Sequence, residues 1–128
     1  MTAAITRLIG VYDADGTVLG ELSYFLRARV GRAHCDLCDI THGRLRERDD
    51  WRRARATLPV PFETFHRDDQ PGEVRAAAGG EVPVVVAGLG DGTHVLLFGP
   101  EDLAACAASP DRLVQRLEAT MGQRGLAW

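Results

Sequence analysis

The stretch Val82-Pro83-Val84-Val85-Val86-Ala87 decides the fold class, and the residues that follow it complete a hairpin. An uncharged run of β-branched residues is typical of a strand that is buried on both faces. The next segment, residues 88–92, contains Asp91-Gly92, a strong hairpin-turn signal. Thr93 to Phe98 then predicts the partner strand. The sequence therefore predicts a buried β-hairpin in the second half of the chain, opened by a proline.

Two helices are expected after this hairpin. Residues 99–102, Gly-Pro-Glu-Asp, lead into a short helix that is expected to carry Cys106. Ser109-Pro110-Asp111 then combines a capping residue, a proline at the first helical position and an acid, which is a helix start signal. The apolar positions of the terminal helix are Leu113, Val114, Leu117 and Met121. Their spacing predicts one face packed on the sheet.

The first half of the chain mixes strands and helices. Residues 5–12 predict the first strand, and residues 17–31 predict an amphipathic helix. A second, solvent-facing helix is expected over residues 45–58, ended by a proline. A short strand over 60–66 and a helical turn over 73–80 complete the pattern. Together with the hairpin, these elements predict an α/β protein.

Length and charge limit the classes of function. The 128 residues, 45% of them hydrophobic, fit one domain over residues 1–128 with a proper core. The net charge of −3 predicts no general attraction for nucleic acid or for a membrane surface. No apolar stretch is long enough to predict a membrane span. All 15 basic residues are arginine, which excludes any mechanism that needs a lysine.

The cysteines are expected to be reduced. The first residues lack the charged and apolar regions of a secretory signal, so we expect a cytoplasmic location, where thiols stay reduced. An odd number of cysteines, three, also argues against a disulfide framework. Metal binding or redox chemistry is then the better interpretation of Cys35 and Cys38. Neither the oligomeric state nor the identity of a partner can be predicted.

The chemistry is expected in the segment His34-Cys35-Asp36-Leu37-Cys38-Asp39-Ile40-Thr41-His42. If this segment is helical, Cys35, Cys38 and His42 share one face, because residues three and seven apart return to the same side. Leu37 and Ile40 then anchor the opposite face. The spacing predicts a catalytic dithiol with an adjacent imidazole, which would exchange disulfides with a protein or a small thiol.

The same residues allow other interpretations. Cys35, Cys38 and His42 could bind zinc or copper, because two cysteines three apart can serve one ion. His34, His66 or Cys106 could supply the fourth ligand. In a purely structural interpretation, both cysteines are small buried hydrophobic residues. The sequence leaves these three possibilities open.

The order of the elements resembles that of thioredoxin-like proteins. The resemblance rests on the proline-led strand at Pro83, the hairpin after it and the terminal helix. It implies a central mixed sheet of about four strands flanked by helices, with a cis-proline at Pro83. In that family the Cys-x-x-Cys motif lies between the first strand and the first helix, where this chain has residues 13–17. Cys35 and Cys38 lie about one helix later, so the family's redox role does not carry over to them.

A second resemblance involves the first predicted turn. Residues 11–19, Val-Tyr-Asp-Ala-Asp-Gly-Thr-Val-Leu, are similar to the first motif of haloacid-dehalogenase-like phosphatases. That resemblance implies Asp13 as the nucleophile and Asp15 as the general acid of a small magnesium-dependent phosphatase. Residues 88–92 also resemble the acidic metal motif of those enzymes. The chain lacks their phosphate-binding lysine and is short for their fold, so we expect a structural turn at residues 13–17.

Overall fold

The fold was analysed in a computed structural model, which describes residues 3–13, 36–41 and 48–128. The helix predicted over residues 17–31 lies outside the described residues. Within them, no helix is long and apolar enough to cross a membrane.

A mixed β-sheet forms the centre of the protein. Its strands are β1 (Ala3–Val11), β2 (Phe62–Phe65), β3 (Val84–Leu89) and β4 (His94–Phe98), in the order β2-β1-β3-β4. β1 is parallel to β2, whereas β3 is antiparallel to both β1 and β4. A fifth strand, β5 (Leu126–Ala127), pairs in parallel with the start of β1. The predicted α/β class is confirmed, and β5 is the strand that the sequence did not predict.

Five helices are described. They are α1 (Asp36–Thr41), α2 (Asp49–Ala56), α3 (Gly72–Ala78), α4 (Pro100–Ala104) and α5 (Pro110–Arg124). The prediction that the short helix carries Cys106 is wrong, because α4 ends two residues earlier. Ala107 and Ala108 have φ values of 51° and 58°, in the left-handed region, so the chain reverses there instead of continuing the helix.

The two faces of the sheet bury different clusters. The larger cluster lies between the sheet and the helices α1, α2, α4 and α5; its members include Ile5, Leu8, Leu37, Ile40, Trp51, Phe62, Val85, Ala87, Leu103, Leu113 and Leu117. The smaller cluster lies under α3 and contains Ile9, Val11, Val74, Ala78, Val84 and Val86. Alternation along β3 sends Val84 and Val86 to one face and Val85 and Ala87 to the other, which explains its uninterrupted apolar run.

The helix ends follow the sequence signals. The Ser109 hydroxyl accepts a hydrogen bond from the Arg112 amide at 3.3 Å, and Pro110 occupies the first position of α5. Gly125 ends that helix with φ of 67°, a conformation that favours glycine. The predicted terminal helix is therefore confirmed.

The hairpin turn has four residues, 90–93, one fewer than the predicted turn of residues 88–92. β3 continues to Leu89, so Gly88 belongs to the strand and not to the turn. Asp91 closes the turn by accepting hydrogen bonds from Thr93 N at 3.0 Å and Thr93 Oγ1 at 2.6 Å. At the other end of β3, the Val82–Pro83 peptide bond is cis, the geometry expected at this position.

Candidate functional site at the carboxyl edge

Polar residues gather where β1 and β2 end. Because the two strands are parallel, their carboxyl ends meet at one edge of the sheet, and antiparallel β3 begins there: Val11 pairs with Phe65 and with Val84. The residues that follow β1 and β2 or precede β3 are Tyr12, Asp13, His66, Arg67 and Pro83, and we call them the carboxyl edge. In open α/β sheets, ligands bind outside the carboxyl ends of the strands.

Tyr12 connects three elements at this edge. Its backbone amide donates a hydrogen bond to Phe65 O at 2.9 Å, which extends the pairing of β1 with β2. Its ring lies 5.5 Å from the His66 ring, tilted by 51°. Its hydroxyl forms a buried hydrogen bond of 3.0 Å with the Thr41 hydroxyl at the end of α1. One side chain therefore joins the ends of β1, β2 and α1.

The polar side chains of Asp13, His66 and Arg67 at the carboxyl edge are in polar contacts near solvent. The Arg67 guanidinium lies 3.3 Å from Asp13 Oδ1, and the two side chains are 47% and 37% exposed. The His66 amide donates to Asp69 Oδ1 at 2.5 Å, and its imidazole Nδ1 lies 3.4 Å from Asp69 Oδ2. The carboxyl edge thus presents an imidazole, a guanidinium and carboxylates beside a proline.

Helix α1 packs next to this edge. Leu37, Ile40 and Thr41 are fully buried. Residues 36–41 of the cysteine segment are thus helical, and Leu37 and Ile40 are buried, as expected for the side that anchors the helix. Gly10 of β1 makes the contact close, since a Cβ atom there would lie 3.0 Å from Leu37 Cδ2 and 3.0 Å from Phe62 Cε1.

Arg48 holds the end of α1 to the rest of the protein. Its backbone amide donates to Thr41 O at 2.8 Å. Its guanidinium donates to Asp50 Oδ1 at 2.9 Å and to Ala108 O at 2.6 Å. The hydrogen bond from Arg48 lowers the pKa of the Asp50 carboxyl. Arg48 therefore links α1, the start of α2 and the turn that follows α4.

Most of the predicted site residues lie outside the described part of the chain. Cys38 belongs to α1, but its side chain is not described, and His34, Cys35 and His42 fall in the undescribed segments. Among the described residues, no group of three or more histidines, cysteines and acids could hold a metal ion. Of the Cys-x-x-Cys segment, the structure therefore describes the backbone of residues 36–38 and neither Cys35 nor the positions of the two sulfurs.

Cys106 is a packed residue of the larger core cluster. It is fully buried, and its Sγ lies 3.5 Å from Asp102 O, to which the thiol can donate. Burial among apolar side chains is the ordinary environment of a structural cysteine. Trp51 is likewise buried, with its ring edge-on to Phe62 at 4.9 Å. Both residues thus have the packing role that is usual for their types.

Among the described residues, the two acidic segments of the phosphatase resemblance lie at opposite ends of the sheet. Asp13 lies at the carboxyl edge, whereas Asp91 lies in the hairpin turn, beyond the pairing of Ile5 with Leu89. The strand between them spans roughly 20 Å, at about 3.4 Å per residue. Asp15 lies outside the described residues. Residues 88–92, which resemble an acidic metal motif, are therefore too far from Asp13 to share a metal ion with it.

A second polar cluster crosses the sheet away from the carboxyl edge. The Arg7 guanidinium lies 3.1 Å from Glu63 Oε2 and 3.0 Å from His94 Nε2. Because a guanidinium can only donate, the imidazole accepts through Nε2. Gly88 lies beneath this side chain, and a Cβ there would approach Arg7 Cγ to 2.9 Å. This cluster covers the part of the sheet face that α3 leaves open.

Sequence reasoning missed the carboxyl edge as a site. Tyr12 belongs to the phosphatase-like motif and His66 was a candidate metal ligand, but no motif joins them to Arg67 or Thr41. The available signal was positional, since residues that directly follow parallel strands meet at one edge.

Comparison with known proteins adds no relative: no family, no curated protein and no solved structure matches this chain.

Proposed function

We propose that this protein is a thioredoxin-like thiol–disulfide oxidoreductase that uses Cys35 and Cys38, with His42 as the neighbouring base. The observation that carries the proposal is the attachment of α1, the helix of Cys38, beside the carboxyl edge. A helix that carries Cys38 beside the carboxyl ends of the strands, where α/β sheets bind ligands, would be suitably placed to meet a substrate.

The topology supports a thioredoxin-like domain. The parallel strands β1 and β2 are followed by helix α3, an antiparallel hairpin of β3 and β4, and the terminal helix α5. This order is what the resemblance implies. Pro83, directly before β3, belongs to the same edge as Tyr12.

The chemistry needs two thiols and no further cofactor. One cysteine thiolate attacks a sulfur of the substrate disulfide, which forms a mixed disulfide and releases one substrate thiolate. The second cysteine attacks the mixed disulfide, so that the substrate leaves as its second thiol and an intramolecular Cys35–Cys38 disulfide remains. Two electrons pass from the protein to the substrate. A small-molecule thiol of the cytoplasm would return the protein to its reduced form.

His42 would assist by accepting the proton of the attacking thiol. An imidazole ordinarily titrates near neutral pH, so it can hold that proton under cellular conditions. A positively charged side chain close to the thiol also favours its thiolate form. The expected pH profile of the exchange reaction therefore rises through the neutral range.

Turnover of a disulfide-bonded peptide, with dithiothreitol as the reductant, tests the proposal. The Cys106→Ala protein serves as the parent, because it keeps only the two proposed thiols. We expect it to accelerate peptide reduction, and we expect Cys35→Ser and Cys38→Ser in that background to lose the acceleration at least tenfold. The His42→Gln variant should retain turnover with a flattened pH profile.

Elemental analysis of the same preparations separates redox chemistry from metal binding. Stoichiometric zinc or copper that is lost with either cysteine, together with absent turnover, would replace the proposal by a metal site. A parent protein that carries no metal and matches the uncatalysed rate would remove both functions.

A further inference from the structure

We propose that Arg124 keeps the outer side of β4 from pairing with the same strand of a second copy of this chain. β4 stands at the end of the strand order β2-β1-β3-β4, so one of its sides pairs with β3. Among the described residues, no strand lies along its other side. An edge strand of this kind presents backbone groups that can pair with another chain. The inference concerns association and does not depend on the proposed redox chemistry.

The register of the hairpin shows which backbone groups of β4 face outward. Leu89 N donates to Thr93 O at 2.9 Å, so this pair of residues is hydrogen-bonded. In an antiparallel ladder, hydrogen-bonded and non-hydrogen-bonded pairs alternate. Counted along the register, His94 and Leu96 fall in the non-hydrogen-bonded pairs. Their amides and carbonyls therefore point away from β3, toward the free side of β4.

Arg124 occupies one of these outward groups. It is the last residue of α5, and its guanidinium donates a hydrogen bond to Leu96 O. The bond agrees with the outward direction that the register gives for this carbonyl. Residues 94–98 contain no acid, lysine or proline, the residues that usually protect an edge strand. The guanidinium therefore supplies a protection that the strand itself lacks.

The outward groups of β4 match those of a second, antiparallel β4. When Val95 of the two copies is placed face to face, His94 of each copy lies opposite Leu96 of the other. Each such pair can exchange two hydrogen bonds, because both of its residues face outward. A twofold axis relates the two copies, as in most homodimers. In this arrangement Leu96 O must accept from the His94 amide of the other copy, so that amide competes with Arg124 for the same carbonyl.

Two apolar side chains of β4 would be buried further by this pairing. Val95 packs against the larger core cluster and Leu96 against the smaller one, and both are only partly buried. Neighbouring strands lie about 4.8 Å apart, so an added strand would cover the free flank of both side chains. Apolar burial on both faces of the sheet therefore favours a second β4 as the occupant of this edge.

Sedimentation equilibrium of the full chain over a concentration series tests the inference, with dithiothreitol present to prevent disulfide-linked dimers. Pairing breaks the Arg124 bond in both copies, so Arg124→Ala should lower the dissociation constant of the dimer about tenfold relative to the wild type. Arg124 is exposed, so this substitution should leave the fold intact. Arg124→Lys, which keeps a cationic donor, should return the dissociation constant to within about twofold of the wild-type value.

Arg112→Ala is the matched control, because Arg112 is an exposed residue at the other end of the same helix and its loss changes the net charge equally. Its dissociation constant should stay within about twofold of the wild type.

Amide hydrogen exchange then locates the contact. In the Arg124→Ala dimer, the amides of His94 and Leu96 should exchange more slowly than in the monomer, because each donates to the other copy. An Arg124→Ala chain that associates no more tightly than Arg112→Ala would overturn the inference. Association that leaves the exchange of these two amides unchanged would overturn it as well.

Discussion

The two ends of the sheet differ in how they use polar residues. At the hairpin end, the turn of residues 90–93, the polar side chains of Asp91 and Thr93 satisfy each other two residues apart. At the carboxyl edge, two of the side-chain contacts join residues far apart in sequence, Tyr12 with Thr41 and Arg67 with Asp13. A turn needs only local hydrogen bonds, whereas a site needs groups from several elements at one place. This difference distinguishes the carboxyl edge as the candidate site.

The largest loss of stability is expected from a substitution where α1 approaches the sheet. Gly10→Val would place new atoms against Leu37 and Phe62, which a Cβ alone already approaches to 3.0 Å. Overpacking of this kind should lower the free energy of unfolding by about 3 kcal/mol in urea denaturation.

Gly90→Ala is the control for this substitution at the hairpin end. Its added Cβ would have its nearest neighbours, Ala4 O and Thr6 Cγ2, at 3.9 Å, an ordinary contact. The free energy of unfolding should change by less than about 0.5 kcal/mol. Equal destabilisation by the two variants would show that the packing of α1 is no tighter than that of the turn.

An intermediate loss of stability is expected from a substitution in the polar cluster of Arg7, Glu63 and His94, which lies between the two ends of the sheet. Gly88→Ala would bring a Cβ within 2.9 Å of Arg7 Cγ, so the arginine must shift away from Glu63 and His94. We expect a loss of about 1 kcal/mol in the free energy of unfolding. In an Arg7→Ala background the same substitution should cost almost nothing. A cost that persists in that background would assign the effect to the backbone of β3.

The smallest effect concerns the pH dependence of the hairpin end. Hydrogen bonds, first from the Thr93 hydroxyl and then from its amide, lower the pKa of Asp91 below its ordinary value of 3.8. A lowered pKa in the folded state contributes stability that is fully present above 3.8 and is lost as the pH falls through the lowered value. Carboxyl titration by NMR should show the pKa of Asp91 rising in Thr93→Val and staying low in Thr93→Ser. An unchanged pKa in Thr93→Val would remove the hydroxyl as its main cause.

Local sequence patterns were sufficient for the main elements. The uncharged run at Val84–Val86 and the Asp91-Gly92 pair predicted the hairpin, and Ser109-Pro110 predicted the start of α5. These signals act within a few residues of the structure that they specify. The two-residue strand β5 has no such pattern, because its pairing with Ala3 and Ala4 depends on where α5 ends.

Local sequence patterns predicted only part of the candidate site. The spacing of Leu37 and Ile40 predicted which side of α1 is anchored, and both residues are buried. The role of Tyr12 depends on β1 and β2 being parallel and on α1 lying beside them, which are tertiary facts. Residues that are brought together from distant segments have no local periodicity, so only a predicted strand arrangement, and no local pattern, could have indicated them.

The most direct test of the account is whether Cys35 and Cys38 form a reversible disulfide. The Cys106→Ala protein would be equilibrated across glutathione redox mixtures, quenched by alkylation and weighed by mass spectrometry. The account predicts that both thiols disappear in one two-electron step, with the loss of two hydrogen atoms, no added glutathione and full recovery on reduction. Two thiols that stay free in the most oxidising mixture, or that form only mixed and intermolecular disulfides, would contradict it.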